Sequence, residues 1–284
     1  MSRINVRMSD QHLAILGGGH MGRALIGGLL RSGTRPERIA VGERSPAARA
    51  TLVRELGVTA TADNEGAVAG AALVVLAVRP QEAAALLSGL APVLRKERPL
   101  LLSVIAGVRV ATLQSWCGGG VPIVRAMPNR PAMVGAGATA LYAPPSADAE
   151  QRAAAERIAR SVGEVVWVTE EDQLDLVTAL SGSGPAYFFL LAEHMAAAAE
   201  ALGLAAPLAR TLAAATLYGA GLLTHTGDAD VAALRAEIAS PGGTTEAALA
   251  AFAAADFKGT VARVLEAAAR RSRELGAPAP RSAP

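Results

Sequence analysis

Residues Ile15–Leu30 read ILGGGHMGRALIGGLL. The short apolar run Leu13–Leu16 that leads into them has the composition of a buried parallel strand. It breaks at Gly17-Gly18-Gly19 and resumes as an apolar helix from about Met21. Gly17, Gly19 and Gly22 stand at the G-x-G-x-x-G spacing. At the first position a glycine permits a tight exit from the strand. At the second, the missing Cβ lets a pyrophosphate approach the backbone, and at the third it lets the helix pack on the strand. The unpaired N–H groups opening such a helix then face the phosphates. The stretch therefore reads as a dinucleotide-binding turn.

Downstream, apolar runs at Ile39–Gly42, Val58–Thr61, Leu73–Val78, Leu100–Val104, Pro122–Ala126, Gly137–Tyr142 and Glu164–Val168 read as strands. Helical patterns alternate with them at Pro46–Leu56, Gln81–Leu90, Val110–Cys117 and Ala147–Val162. That alternation predicts an α/β class domain, a Rossmann-like doubly wound sheet, over residues 1–169. From Glu171 onward no strand pattern remains. Helices are expected at about 171–180, 185–202, 206–224, 228–238, 244–255 and 257–275, forming an all-helical C-terminal dimerisation and substrate domain over 170–276. The helix from Pro185 to Leu202 is apolar almost all round, so it needs burial on nearly every side. A second subunit supplies that burial economically. The Pro/Ala/Ser-rich end, 277–284, reads as a disordered tail.

Composition narrows the function. The chain has 284 residues, half of them hydrophobic, with few aromatics and a net charge of +2. Scattered basic residues without interleaved aromatics argue against a nucleic-acid surface. The single cysteine, Cys117, allows neither an internal disulfide nor a cysteine-based zinc site, and the four histidines lack metal-ligand spacing. No metal is expected. MSRINVRMSDQ at the N-terminus has no apolar core of a secretory signal, and no segment reads as a convincing membrane span. A cytoplasmic protein is the expectation.

Ligands in open α/β sheets lie outside the carboxyl ends of the strands. Glu43-Arg44-Ser45 follows the second strand, where the adenosine ribose would lie. An acid there favours NAD through the 2′-hydroxyl, whereas an Arg-Ser pair favours NADP through the 2′-phosphate. The sequence offers both, and the charge and hydroxyl of Arg44 and Ser45 tilt the reading to NADPH, with NADH as the alternative. Val78-Arg79-Pro80-Gln81 points a cation and a rigid turn at the cleft, and Asn129 of Met127-Pro128-Asn129 could orient the nicotinamide or a nearby loop. In the helical region Ser181–Ala186 and Ser240–Thr245 are small-residue loops leading into helices. The second gathers free N–H groups and hydroxyls, an anion cradle without a cation and suited to a small carboxylate. No Ser/His/Asp order and no lysine in the cofactor cleft stand out. Alcohol oxidation commonly needs a His or Lys base. Imine reduction does not, because a protonated C=N carbon is already electrophilic.

Together these motifs resemble the pyrroline-5-carboxylate reductase family. The resemblance rests on GGGHMG (17–22), Asp63-Asn64, AVRPQ (77–81), SVIAGV (103–108), MPN (127–129), SGSGPAYFF (181–189) and SPGGTTEAAL (240–249), in the family's order. It implies a Rossmann NAD(P)H domain, a helical domain interlocking with its twofold mate, and reduction of Δ1-pyrroline-5-carboxylate to L-proline. By motif, Gly17, Gly19, His20, Met21 and Gly22 would line the pyrophosphate. Arg44 and Ser45 would meet the 2′-phosphate, and Asn64 the adenosine. Arg79, Pro80, Ala106 and Gly107 would line the nicotinamide side. Ser240, Gly243, Thr244 and Thr245 would hold the substrate carboxylate, with Thr245 also hydrogen-bonding the ring nitrogen as the catalytic residue. The implied partners are a cyclic imino acid and a second copy of the chain, with a higher homo-oligomer compatible. The family commonly has Asn in place of His20, Lys in place of Arg79 and Thr in place of Arg130. Competing readings are a reductase of another cyclic imine, a β-hydroxyacid-dehydrogenase-like oxidoreductase, and a non-catalytic dinucleotide-binding dimer.

Overall fold

The computed structural model describes residues 12–225 and 230–276. The expected tail at 277–284 lies outside the described residues. Strand β1 (Leu13–Leu16) sits inside an eight-stranded sheet. Its residues alternate between the two faces: Leu13 and Ile15 enter one apolar cluster, Ala14 and Leu16 the other. A strand buried on both faces must be apolar at every position, which is why it reads as a continuous run. The other strands are β2 (Ile39–Gly42), β3 (Thr59–Thr61), β4 (Leu73–Leu76), β5 (Leu100–Ser103), β6 (Ile123–Met127), β7 (Gly137–Tyr142) and β8 (Gly163–Trp167), and their order across the sheet is 3-2-1-4-5-6-7-8. All neighbours are parallel except β6 and β7. The direction of travel reverses between β1 and β4, so the crevice for a dinucleotide opens at their carboxyl ends.

Helices α1 (His20–Arg31) and α6 (Ala149–Arg160) cover one face through Leu25, Leu29 and Ile158. The other face carries α3 (Asn64–Val68), α4 (Pro80–Glu97) and α5 (Val110–Trp116), through Val68, Leu87, Leu94 and Leu113. Helix α2 (Pro46–Leu56) lies between β2 and β3 in the chain. Two features depart from the sequence expectation. Helix α4 continues past Leu90 to Glu97 with Pro92 inside it, because Val93 and Leu94 extend its buried face. The five-residue α3 carries no periodic signal. It exists because the Asp63 carboxylate accepts from the N–H groups of Glu65 and Gly66.

The described residues divide into two compact units, 12–182 with 268–276, and 183–225 with 230–267. At the end of the first unit, α7 (Gln173–Val177) passes into a π-turn at Thr178–Gly182. A polar network fixes this segment. Buried Arg125 of β6 pairs with Glu171 at 2.7 Å, Arg109 pairs with Asp172 and Asp175, and Ser272 donates to buried Asp175 at 2.6 Å. The Val110 N–H also donates to Glu171 at 2.7 Å. Every carboxylate in this tight cluster therefore has a partner, which a buried charge requires.

The second unit holds α8 (Gly184–Ala201), α9 (Ala206–Leu223), α10 (Val231–Ile238), α11 (Thr244–Ala254) and the start of α12 (Phe257–Gly276). Within the single chain α8 is largely exposed; Gly184 and Ala196 are its buried residues. Phe188, Phe189, Leu190, Met195, Leu212 and Tyr218 all stand 48% or more exposed. An apolar surface of this extent marks an interaction face rather than a finished core. By length and composition alone, the stretch Gln173–Ala201 is also apolar enough to cross a membrane.

Candidate active site

The glycine turn follows from its close approaches. Gly17 has φ +105°, and a Cβ there would lie 2.6 Å from the Ala77 carbonyl oxygen, at the end of the neighbouring β4. A Cβ on Gly22 would collide with the Gly17 carbonyl. Around Gly19, by contrast, a Cβ would meet nothing within 4 Å. Gly17 and Gly22 therefore hold the turn's shape, whereas Gly19 fronts open space. Helix α1 begins at Gly19 with no side chain capping it, so its first N–H groups remain available to an anion. His20 is exposed beside them, and the half-buried Met21 packs against the core. The backbone fits a pyrophosphate.

On the ribose side the acid and the base have separate duties. The Glu43 carboxylate accepts from the Gly18 N–H at 2.9 Å and from the Ser45 N–H at 2.8 Å. It ties the glycine turn to the exit of β2. Arg44 is exposed and pairs with Glu82 at 2.6 Å. Ser45 caps α2, its hydroxyl accepting from the Ala48 N–H. Asn64, the first residue of α3, lies so close to Gly42 that a Cβ there would strike its Oδ1. Arg44, Ser45 and Asn64 thus cluster around the end of β2, as a site for the adenosine half requires.

On the nicotinamide side, Arg79 is exposed at the start of α4 and donates to Glu82 at 2.6 Å; Pro80 opens the helix. Ala106 is exposed, whereas Gly107 is buried against Gly276, the last residue of α12. Asn129 is committed elsewhere. Its Nδ2 donates to the Ser181 carbonyl and its Oδ1 accepts from the Ala138 N–H. It braces the π-turn against the start of β7. Arg130, exposed, opens a short 3₁₀ turn that ends at Val134.

In the second unit, Ser240–Gly243 forms a turn closed by the Gly243 N–H on the Ser240 carbonyl at 3.0 Å. Helix α11 starts at Gly243 without a side-chain cap, so the N–H groups of Thr244 and Thr245 have no helical partner. Thr245 is half-buried, Thr244 exposed. Glu246 was not anticipated: its carboxylate accepts from the Gly242 N–H at 2.7 Å and shapes the turn. An acid three residues after the helix cap is the signal that could have found it. The same spacing, Arg79 to Glu82, could have flagged Glu82.

Comparison with known proteins follows the same lines. Residues 12–107 match the family described as NADP oxidoreductase coenzyme F420-dependent. Residues 171–275 match pyrroline-5-carboxylate reductase dimerisation. A pyrroline-5-carboxylate reductase of Pseudomonas aeruginosa is 41% identical over 268 residues, 94% of this chain and 98% of that protein. The chain belongs to the pyrroline-5-carboxylate reductase family. A solved pyrroline-5-carboxylate reductase from Coxiella burnetii superposes with a TM-score of 0.90 at 38% identity, covering 94% of this chain and 99% of that one. A pyrroline carboxylate reductase from Plasmodium falciparum, solved with NADP bound, gives 0.82 at 28% identity over 95% and 100%. Family membership makes the chain an NADP-type oxidoreductase that acts on a small molecule and self-associates.

Proposed function

We infer that this chain reduces the C=N bond of Δ1-pyrroline-5-carboxylate to give L-proline, the last step of proline synthesis, with NADPH as preferred reductant and NADH as a weaker substitute. One observation carries the reading: the chain pairs an uncapped glycine turn with an uncapped Gly243–Thr245 cradle, and so offers two sets of free N–H groups to anions. When bound, the dinucleotide supplies a hydride. The chain's own residues hold and orient. The first N–H groups of α1 take the pyrophosphate, Arg44 and Ser45 the 2′-phosphate, and Asn64 the adenosine. Arg79, Pro80, Ala106 and Gly107 border the nicotinamide half. The N–H groups of Thr244 and Thr245, with Ser240 and Gly243, take the substrate carboxylate. Thr245 accepts the iminium N–H through Oγ1, which fixes the ring face presented to the hydride. The hydride then cancels the iminium charge, so no side-chain base is required.

The division of labour follows the two-domain reading, 1–169 for the dinucleotide and 170–276 for substrate and self-association. The exposed apolar residues of α8 and α9 support a homodimer built through the C-terminal helices, and a higher assembly of such dimers is compatible with it. That role accounts for the apolar character of Gln173–Ala201 without a bilayer, and we place the enzyme in the cytoplasm.

The test is NADPH consumption with pyrroline-5-carboxylate, beside a larger cyclic imine. Rapid turnover of the five-membered substrate is expected; turnover of the larger imine alone would refute the assignment. Sedimentation of the same preparation is expected to show a dimer or a multiple of it, and a monomer would refute the helical interface. For cofactor choice, Arg44→Ala is expected to weaken NADPH binding about tenfold, one charge-assisted pair being lost, and to spare NADH. Equal loss for both dinucleotides in a direct binding measurement would show that Arg44 does not read the 2′-phosphate.

A further inference from the structure

Arg44 follows β2 and Glu82 lies in the first turn of α4, after β4. Strands β2 and β4 flank β1 on opposite sides. The Arg44–Glu82 pair therefore joins the loops on either side of the strand that feeds the glycine turn. A single oxygen of Glu82, Oε1, takes both arginines, Arg44 at 2.6 Å and Arg79 at 2.6 Å. The two arginine side chains are 74% and 71% exposed, that of Glu82 29%. Glu82 is the fixed member, set in the helix with its N–H donating to the Arg79 carbonyl at 3.0 Å. Arg44 reaches it from the loop after β2, across β1.

We propose that Glu82 sets the dinucleotide preference by competing, as an internal carboxylate, with the 2′-phosphate for the Arg44 guanidinium. This rests on Arg44 being the phosphate reader. A phosphate monoester carries close to two charges and three acceptor oxygens, so it outcompetes a single carboxylate oxygen. When Arg44 turns to the phosphate, Glu82 keeps Arg79, and no charge is left unpaired. The hydrogen bond from Arg79 also holds the Glu82 carboxyl below the usual carboxylate range, so the competitor stays ionised. NADH brings a hydroxyl at the same place and has nothing to exchange for the ion pair. Glu82 therefore taxes NADPH binding selectively and narrows the gap between the two cofactors.

The experiment is calorimetric titration of the full-length protein with NADP⁺ and with NAD⁺, for wild type, Glu82→Gln, Arg44→Ala and the double variant. Glu82→Gln is expected to tighten NADP⁺ about two- to fivefold, the range an exposed ion pair sustains, and to move NAD⁺ less than that. In the Arg44→Ala background the same change is expected to do nothing. Weaker NADP⁺ binding in Glu82→Gln would overturn the proposal and make Glu82 a residue that orients Arg44. An equal gain for both dinucleotides, or a gain that persists without Arg44, would overturn it too. An Arg44→Ala variant with unchanged NADP⁺ affinity would instead remove the phosphate reading itself, and the proposal with it.

Discussion

Gly19→Ala is expected to weaken dinucleotide binding about ten- to a hundredfold while leaving the melting temperature within about 3 °C of wild type. The two halves of that result have different causes. Gly19 has φ −72° and ψ −168°, a conformation alanine adopts freely, and a Cβ there meets nothing within 4 Å. The folded chain has no reason to object. The methyl group would instead stand in the space that the pyrophosphate has to enter, pushing it off the first N–H groups of α1. Hydrogen bonds to a charged acceptor contribute about 1.5–3 kcal/mol each, so losing or lengthening one accounts for the expected loss. Gly22→Ala is the control. Its Cβ collides with the Gly17 carbonyl, so stability and binding should fall together. Titration and thermal melting of both variants decide the matter. If Gly19→Ala binds NADPH as wild type does, the open space at Gly19 is not the pyrophosphate's.

The same contrast explains what the sequence could and could not disclose. The β1–turn–α1 unit was readable because local rules and tertiary demands agree there: an apolar strand, glycines where the backbone approaches another backbone, and a helix resuming at once. Strands β2, β4 and β5 were readable for the same reason, since a sheet buried on both faces leaves nearly unbroken apolar runs. The unpartnered apolar character of α8 was visible because its apolar residues exceed what one chain buries. The misses are cases where a distant partner decides. Pro92 ordinarily ends a helix, but the burial of Val93 and Leu94 carries α4 through it. The π-turn at Thr178–Gly182 leaves the Ser181 carbonyl to Asn129, so of the two readings of that residue, the nicotinamide or a nearby loop, its hydrogen bond serves the loop. Glu43 reads as the acid that favours NAD; that its carboxylate also accepts from the Gly18 and Ser45 N–H groups is something no spacing in the sequence encodes. The pairing of Arg44 with Glu82 joins residues on either side of β1 and was equally invisible.

Thr245→Ala is expected to lower kcat/KM about ten- to a hundredfold with NADPH affinity unchanged, because a positioned hydrogen bond to substrate contributes about 1–3 kcal/mol. The substitution removes one hydroxyl and little else. The Thr245 N–H stays at the start of α11, so the part of the cradle that holds the carboxylate survives, and alanine is a better helix former than threonine. If Oγ1 accepts from the ring nitrogen, the loss falls mainly on kcat, because the bond fixes the ring as the hydride arrives. If Oγ1 serves the carboxylate instead, KM rises and kcat holds. Thr245→Ser restores the hydroxyl without the methyl and should recover most of the loss, which separates hydrogen bonding from packing. Thr244→Ala is the companion measurement. Thr244 is exposed where Thr245 is half-buried, and its hydroxyl is assigned to the carboxylate alone, so its effect should appear in KM. A Thr245→Ala enzyme with unchanged kcat/KM would take the catalytic role away from this residue, whatever the family resemblance.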